Sequence, residues 1–205
     1  ESEDSEMRKA AAIAMNKITR VYPTLFLKTD IFSNQLSGTE GISDKEMTAL
    51  CNVMSNAVGT EDLSVIERIY SSPLFNGFLE CCLDRSWNVK IHFARLLALI
   101  VNGATDSMLS DLFARHEHDV IFNIIIASLD TKNKFYVTSV LCVKKIYDYA
   151  NSFACRNGRD LLIEMLNEDM VEKLEELDES GDNTSEVFHQ NIKEILSFIN
   201  SDNDD

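Results

Sequence analysis

Segments whose apolar residues recur every three or four positions follow one another along this chain in a fixed order of length, and that order constrains the fold more than any single motif. Between Met7 and Arg20 the set Ala10, Ile13, Ala14, Ile18 and Val21 predicts a helix, which Pro23 ends or bends. Residues 24–36 read as one or two short helical segments, closed by a loop over 37–41. Ser43 and Glu46 have the spacing of a capping box, so a helix is expected to start there and run to about Val58, ending at Gly59. Further helices are expected over 61–70, 73–84, 87–102, 105–115, 118–129, 133–156, 159–166, 168–178 and 184–200. The breaks between them fall at polar or glycine-bearing steps such as Ser71-Ser72-Pro73, Asn102-Gly103 and Asn157-Gly158.

From residue 61 onward the helices run short, medium, long and then repeat, with a period of about 40–47 residues, the spacing of armadillo and HEAT arrays. Only 7 Gly and 2 Pro punctuate the 205 residues, too few turn formers for a sheet protein of this length. The expectation is therefore an all-α protein, a right-handed superhelical α-solenoid of armadillo/HEAT type. Approximate repeats are 1–22, 23–60, 61–103, 104–156 and 157–201, followed by an acidic tail at 202–205. A repeat of this kind cannot bury its apolar face alone, so neighbours stack into a continuous core and leave a long concave surface lined by the third helices. Such a geometry offers binding.

The formal charge of -15 sets a repulsive field against nucleic acid, and no basic patch is visible to overcome it. Five cysteines, Cys51, Cys81, Cys82, Cys142 and Cys155, lie among apolar residues, which fits reduced, buried thiols in an intracellular protein. In the Cys81-Cys82 pair, adjacent helical positions point in different directions, so one is expected in the core. No apolar run approaches the length needed to span a bilayer, and a soluble chain is expected. The chain begins at Glu1, which suggests a fragment of a longer protein. No phosphate loop, nucleophile elbow or HExxH motif is present, no cofactor is implied, and an enzyme is not expected. His116 and His118 flank Glu117 in what reads as a loop rather than a metal site. Lys132, Lys134, Lys144 and Lys145 form a basic cluster that either solvates a helix flank or reaches an acidic partner.

Laid over one another, the third-helix segments resemble the importin-α (karyopherin-α) family, the armadillo adaptors that carry basic nuclear localisation signals. The family's third helix carries Trp-x-x-Ser-Asn before a small, glycine-containing turn. Residues 48–60 here read TALCNVMSNAVGT, with Ser55-Asn56 on the family's Ser-Asn and Gly59 near its turn glycine. One repeat earlier, AIAMNKITR is similar to the family's short ladder element and places Asn16 on the ladder asparagine. The segment beginning at Trp87 and the acidic final repeat, DMVEKLEELDESGDNTSEVFHQNIKEILSFI, continue the likeness over nearly the whole chain, which corresponds to the family's C-terminal half.

The resemblance implies a protein-binding adaptor of nuclear import that shuttles between nucleus and cytoplasm. Asparagine carboxamides, each both donor and acceptor, would grip the main chain of an extended peptide; Asn16, Asn56, Asn52 and Ser55 are the candidate peptide-binding residues. Tryptophan slots between asparagines hold Lys and Arg stems in the family. Here those positions carry Ala12 and Asn52, and the third ladder position falls near Leu99 with Arg95 at its slot, so the minor signal site is degenerate. The only tryptophan, Trp87, is expected to pack at a repeat junction. By resemblance the last repeat contacts the export receptor and nearby repeats a nucleoporin, with Glu172, Glu175, Glu176 and Asp178 as candidates; the other reading of that segment is a solvated helix face capping the solenoid. Cargo bearing basic signals would bind through repeats outside this chain, and importin-β through a segment N-terminal to it. The alternative is an armadillo-like scaffold that has lost signal binding. Direct nucleic-acid or membrane partners are not expected.

Overall fold

In a computed structural model of the chain, the described residues are 3–23, 41–130, 132–180 and 185–202. They form eleven α-helices and contain no strand. Backbone contacts divide them into two compact units, Glu1–Gly103 and Ala104–Asp205. The expected segments within 24–36 and the loop over 37–41 fall almost entirely outside the described residues, as does the tail beyond Asp202.

The first unit holds α1 (Glu3–Thr19), α2 (Asp44–Val58), α3 (Leu63–Tyr70), α4 (Pro73–Cys81), a 3-10 turn (Cys82–Asp84) and α5 (Trp87–Gly103). Each break carries a local cause. Ser43 caps α2 in the expected capping box, its hydroxyl accepting from the Glu46 amide while the Glu46 carboxylate accepts from the Ser43 amide. Asp62 caps α3, and Ser72 caps α4 just ahead of Pro73, where a missing N–H costs nothing. The 73–84 segment is shorter as an α-helix than expected because its last turn tightens into the 3-10 form.

α2 lies between α1 and α5 and packs on both. Met47, Cys51, Val53 and Met54 are fully buried in that sandwich, and α5 adds Phe93, Leu96 and Leu97. Phe93 meets Phe75 at 5.6 Å and Phe78 at 6.2 Å between ring centroids, which ties α4 to α5. Burial pushes the Cys51 thiol well above its ordinary range, with Cys82 and Cys81 nearby adding to the effect. Cys82 is the buried member of its pair and Cys81 is half-buried. Trp87 departs from expectation: it is 59 % exposed, because it sits in the first turn of α5 ahead of the packed stretch that begins at Val89.

The second unit holds α6 (Asp106–Arg115), α7 (His118–Ile126), α8 (Tyr136–Ala150), α9 (Gly158–Met165), α10 (Glu168–Glu179) and α11 (Glu186–Asp202). α8 packs on α6, α9 and α11, and α7 on α9 and α10. Its core is mostly aliphatic, with Ile121, Ile124, Val140, Val143, Ile146, Met165, Leu174, Ile192 and Ile195 buried beside Phe122, Tyr149 and Phe188. α8 is shorter than the expected 133–156 at both ends. At its start, buried polar groups hold a turn instead of a helix: Ser128 Oγ donates to Ser139 Oγ (2.7 Å), Asn133 Nδ2 to the Ser128 carbonyl (2.9 Å), and the Phe135 amide to Asn133 Oδ1 (3.1 Å). At its end the chain turns so that Gly158 comes against the last residue of the helix.

A Cβ built on Gly158 would lie 1.8 Å from the Ala150 carbonyl oxygen, so only glycine allows α9 to start this close to α8. We expect Gly158→Ala to destabilise the protein by about 1–3 kcal/mol, because a backbone atom and not a flexible side chain must give way. Urea denaturation of the two proteins checks this; equal midpoints would refute the close approach.

Candidate functional site

α2 is buried on nearly every side, and what it leaves uncovered is narrow. Apart from exposed Lys45, its residues that are not buried are Asp44, Thr48, Asn52 and Asn56, half-buried and four residues apart. Four-residue spacing places them on one face of the helix. The flanking helices extend this stripe. From α1, Asn16 and Thr19 meet Asn56: its Nδ2 donates to Asn16 Oδ1 at 3.2 Å and to Thr19 Oγ1 at 3.3 Å. From α5, Asn88 Nδ2 donates to Thr48 Oγ1 at 3.1 Å.

Two of the residues singled out from the sequence, Asn16 and Asn56, are therefore joined directly across successive long helices. With both Asn56 amide hydrogens committed to α1, its carbonyl oxygen is the group left for a ligand N–H. Asn52 lies one turn earlier and donates to the Thr48 carbonyl at 3.0 Å. Ser55 does not join them. It is 1 % exposed and sits on the packed side of α2, one position round the helix from Asn56, so it cannot touch a ligand on the stripe. Ala12 is also buried, in the contact with α2.

The stripe continues on α5 through His92, Arg95 and Leu99, all half-buried. The family resemblance singles out Arg95 and does not point to Arg20. Arg20, exposed immediately after α1, is close enough that its charge, together with the larger effect of burial, lowers the Arg95 pKa.

At the far end of the same helices, Glu46 fixes the entry of α2. It is buried, accepts from the Ser43 amide at 2.8 Å and the Ser43 hydroxyl at 2.6 Å, and pairs with Arg8 Nε at 3.2 Å. Burial alone would raise its carboxyl, but the Ser43 hydrogen bonds and the Arg8 charge outweigh it and hold the carboxyl below its ordinary value.

In the second unit, Glu172, Glu175 and Glu176 are exposed on α10, and Glu176 accepts from Lys173 at 2.6 Å. Asp178 differs from the other three. It is half-buried and holds His189 Nδ1 at 2.8 Å, which couples α10 to α11 rather than presenting a carboxylate outward. Lys144 of the basic cluster is likewise engaged, with Asp148 and with Glu194 of α11. The His116-Glu117-His118 stretch spans the end of α6 and the start of α7. His118 Nδ1 faces Glu164, and Nε2 lies 3.0 Å from the Phe113 carbonyl. Phe113, His118 and Glu164 border a cleft of about 580 Å³ together with Tyr149, Cys155 and Arg156. Burial raises the Tyr149 hydroxyl pKa, Ser110 opposes that shift by hydrogen bonding, and Cys155 adds to it. Among the described residues no group of three His, Cys, Asp or Glu side chains is placed to hold a metal ion, and no helix is long and apolar enough to cross a membrane.

No protein-family profile, no curated protein and no solved structure matches this chain.

The lowered Glu46 value carries a sign. A carboxylate favoured in the folded state stabilises it above its unfolded pKa and loses that contribution as pH falls through the folded one. Wild type is therefore expected to lose stability steeply below the ordinary glutamate value of 4.5, and Glu46→Gln to be less stable at pH 7 with a shallower acid limb. Denaturant midpoints measured between about pH 7 and pH 3 test this; parallel pH profiles for the two proteins would refute it.

Proposed function

We propose that this chain is a protein-binding adaptor, an armadillo-type α-solenoid of the importin-α kind, and that it presents the stripe of α1, α2 and α5 to an extended segment of another protein. The observation that carries this reading is the Asn16–Asn56 hydrogen bond between successive long helices. The order of helix lengths supports it as well: long helices begin at Glu3, Asp44, Trp87, Tyr136 and Glu186, with shorter ones between them wherever residues are described. Within the first unit α1 packs on α2 and α2 on α5, and within the second α8 packs on α11, as consecutive third helices of an armadillo array do.

Extended peptides suit the stripe because their main-chain groups need partners once water is displaced. A row of carboxamides supplies these without reading side chains. On this reading the chain forms the C-terminal half of a shuttling import adaptor. Cargo with basic signals engages repeats outside it, importin-β binds a segment N-terminal to it, and the exposed Glu172, Glu175 and Glu176 serve the export receptor or a nucleoporin. A second reading, a scaffold of the same fold that has lost signal binding, is favoured by Ala12 and Asn52 standing where aromatic slots would be.

The experiment is a titration of the purified 205-residue chain with labelled extended peptides of acidic, neutral and basic composition. Asn16→Ala with Asn56→Ala should weaken whatever peptide binds by about tenfold, the worth of one or two main-chain hydrogen bonds. If no peptide of any charge binds, or if the double variant binds as wild type does, the adaptor reading of this face fails.

A further inference from the structure

The cleft of about 580 Å³ in the second unit has the size of a small-molecule site, for which roughly 300–1,000 Å³ is usual. Part of its lining is apolar. The Phe113 and Tyr149 rings lie nearly parallel, at 15° and 6.2 Å between centroids, and buried Leu161 lines the same cleft. His118 meets Phe113 edge-on at 5.4 Å, and its Nδ1 faces the Glu164 carboxylate, which joins α7 to α9 and engages that acid. Two charged residues of the cleft are not engaged in this way. Arg156, just ahead of α9, and Asp160, in the first turn of α9, are exposed, and neither forms an ion pair or a side-chain hydrogen bond among the described residues. Asn157 stands between them in sequence, also lines the cleft, and makes no side-chain bond to the helix it caps.

We propose that this cleft binds a small zwitterion of the α-amino-acid class with an aromatic side chain, its carboxylate on Arg156 and Asn157, its ammonium on Asp160 and its ring against Phe113 and Tyr149. The site goes beyond the adaptor reading and does not depend on it. A guanidinium presents a planar fork of N–H donors that matches a carboxylate, and a carboxamide N–H adds a further donor. An ammonium with three N–H donors in turn suits the acceptor-only carboxylate of Asp160. Charge decides against simpler ligands. Residues 104–205 carry nine Lys and Arg against twenty-one Asp and Glu, so a purely anionic ligand meets Asp160 in an acidic field. A purely cationic ligand is drawn by that field but leaves Arg156 opposed to it. A zwitterion satisfies both groups at once, and an aromatic side chain gains offset or edge-on contact with the ring pair that an aliphatic one lacks.

The test is a titration of the 15N-labelled 205-residue chain, followed by amide chemical shifts, with L-phenylalanine, with 3-phenylpropionate, which lacks the ammonium, and with 2-phenylethylamine, which lacks the carboxylate. L-Phenylalanine is expected to saturate at about 1 mM or below and to shift amides around the cleft. Each single-charge analogue should bind about tenfold more weakly or worse, the worth of one charge-assisted hydrogen bond. Arg156→Gln should lower L-phenylalanine affinity about tenfold and erase its advantage over 2-phenylethylamine, and Asp160→Asn should erase its advantage over 3-phenylpropionate. Both positions are exposed, and circular dichroism melts check that the two variants fold. The site is overturned if L-phenylalanine gives no saturable shifts, if the shifts lie away from the cleft, if either analogue binds as tightly, or if both variants bind as wild type does. None of these outcomes bears on the adaptor reading, whose peptides engage α1, α2 and α5.

Discussion

Everything on the candidate face follows from the burial of α2 on two sides. A helix that packs on one neighbour keeps a broad polar surface, but one that packs on a predecessor and a successor keeps only a seam between them. α2 meets α1 and α5 at once, and ten of its fifteen residues are buried, Glu46 and Ser55 among them. Its stripe of Asp44, Thr48, Asn52 and Asn56 is the line along which the three helices part. Polar side chains in such a seam are bordered by others on both sides, so they bond across helices, as Asn56 does with Asn16 and Thr19 and Asn88 does with Thr48. Their ordering is carried by packing that is already in place before any ligand arrives, which lowers the entropic cost of gripping one.

The same two-sided burial governs the reactive groups. Cys51, Cys82 and Cys142 are fully enclosed, and burial raises all three thiols, that of Cys82 to about 12. Thiols held protonated in this way behave as small apolar side chains. On the described seam the polar groups include carboxamides and hydroxyls, and exposed carboxylates stand on α10. Among the carboxylates, the Asp178–His189 pair shows that a sequence position within an acidic run can serve the joint between two helices while its neighbours face water.

Helix positions were largely legible from the sequence because most breaks carry a side chain that enforces them locally. Ser43, Asp62, Ser72, Thr105 and Asn167 each accept a backbone amide at a helix start, and Pro73 follows one of them. Periodicity overextends α8 because its start is decided by Asn133, whose partners are the Ser128 carbonyl and the Phe135 amide, and by Ser128 donating to Ser139. Periodicity cannot reveal bonds that depend on a loop folding back. Trp87 departs from expectation in a related way: its size argues for burial, but in the first turn of α5 it is exposed while Val89 and Phe93 are buried.

By itself the sequence determined that this chain is helical and roughly where each helix begins, since these depend on periodicity and caps. Only the tertiary structure decided which face of each helix remains uncovered. Packing α1 and α5 against α2 buried Ser55 while leaving its neighbour Asn56 in the seam, and brought Asn88 against Thr48 across 40 residues of sequence. Contacts of that kind arise from the separation of helix axes and the reach of side chains, and neither quantity is written in the order of residues.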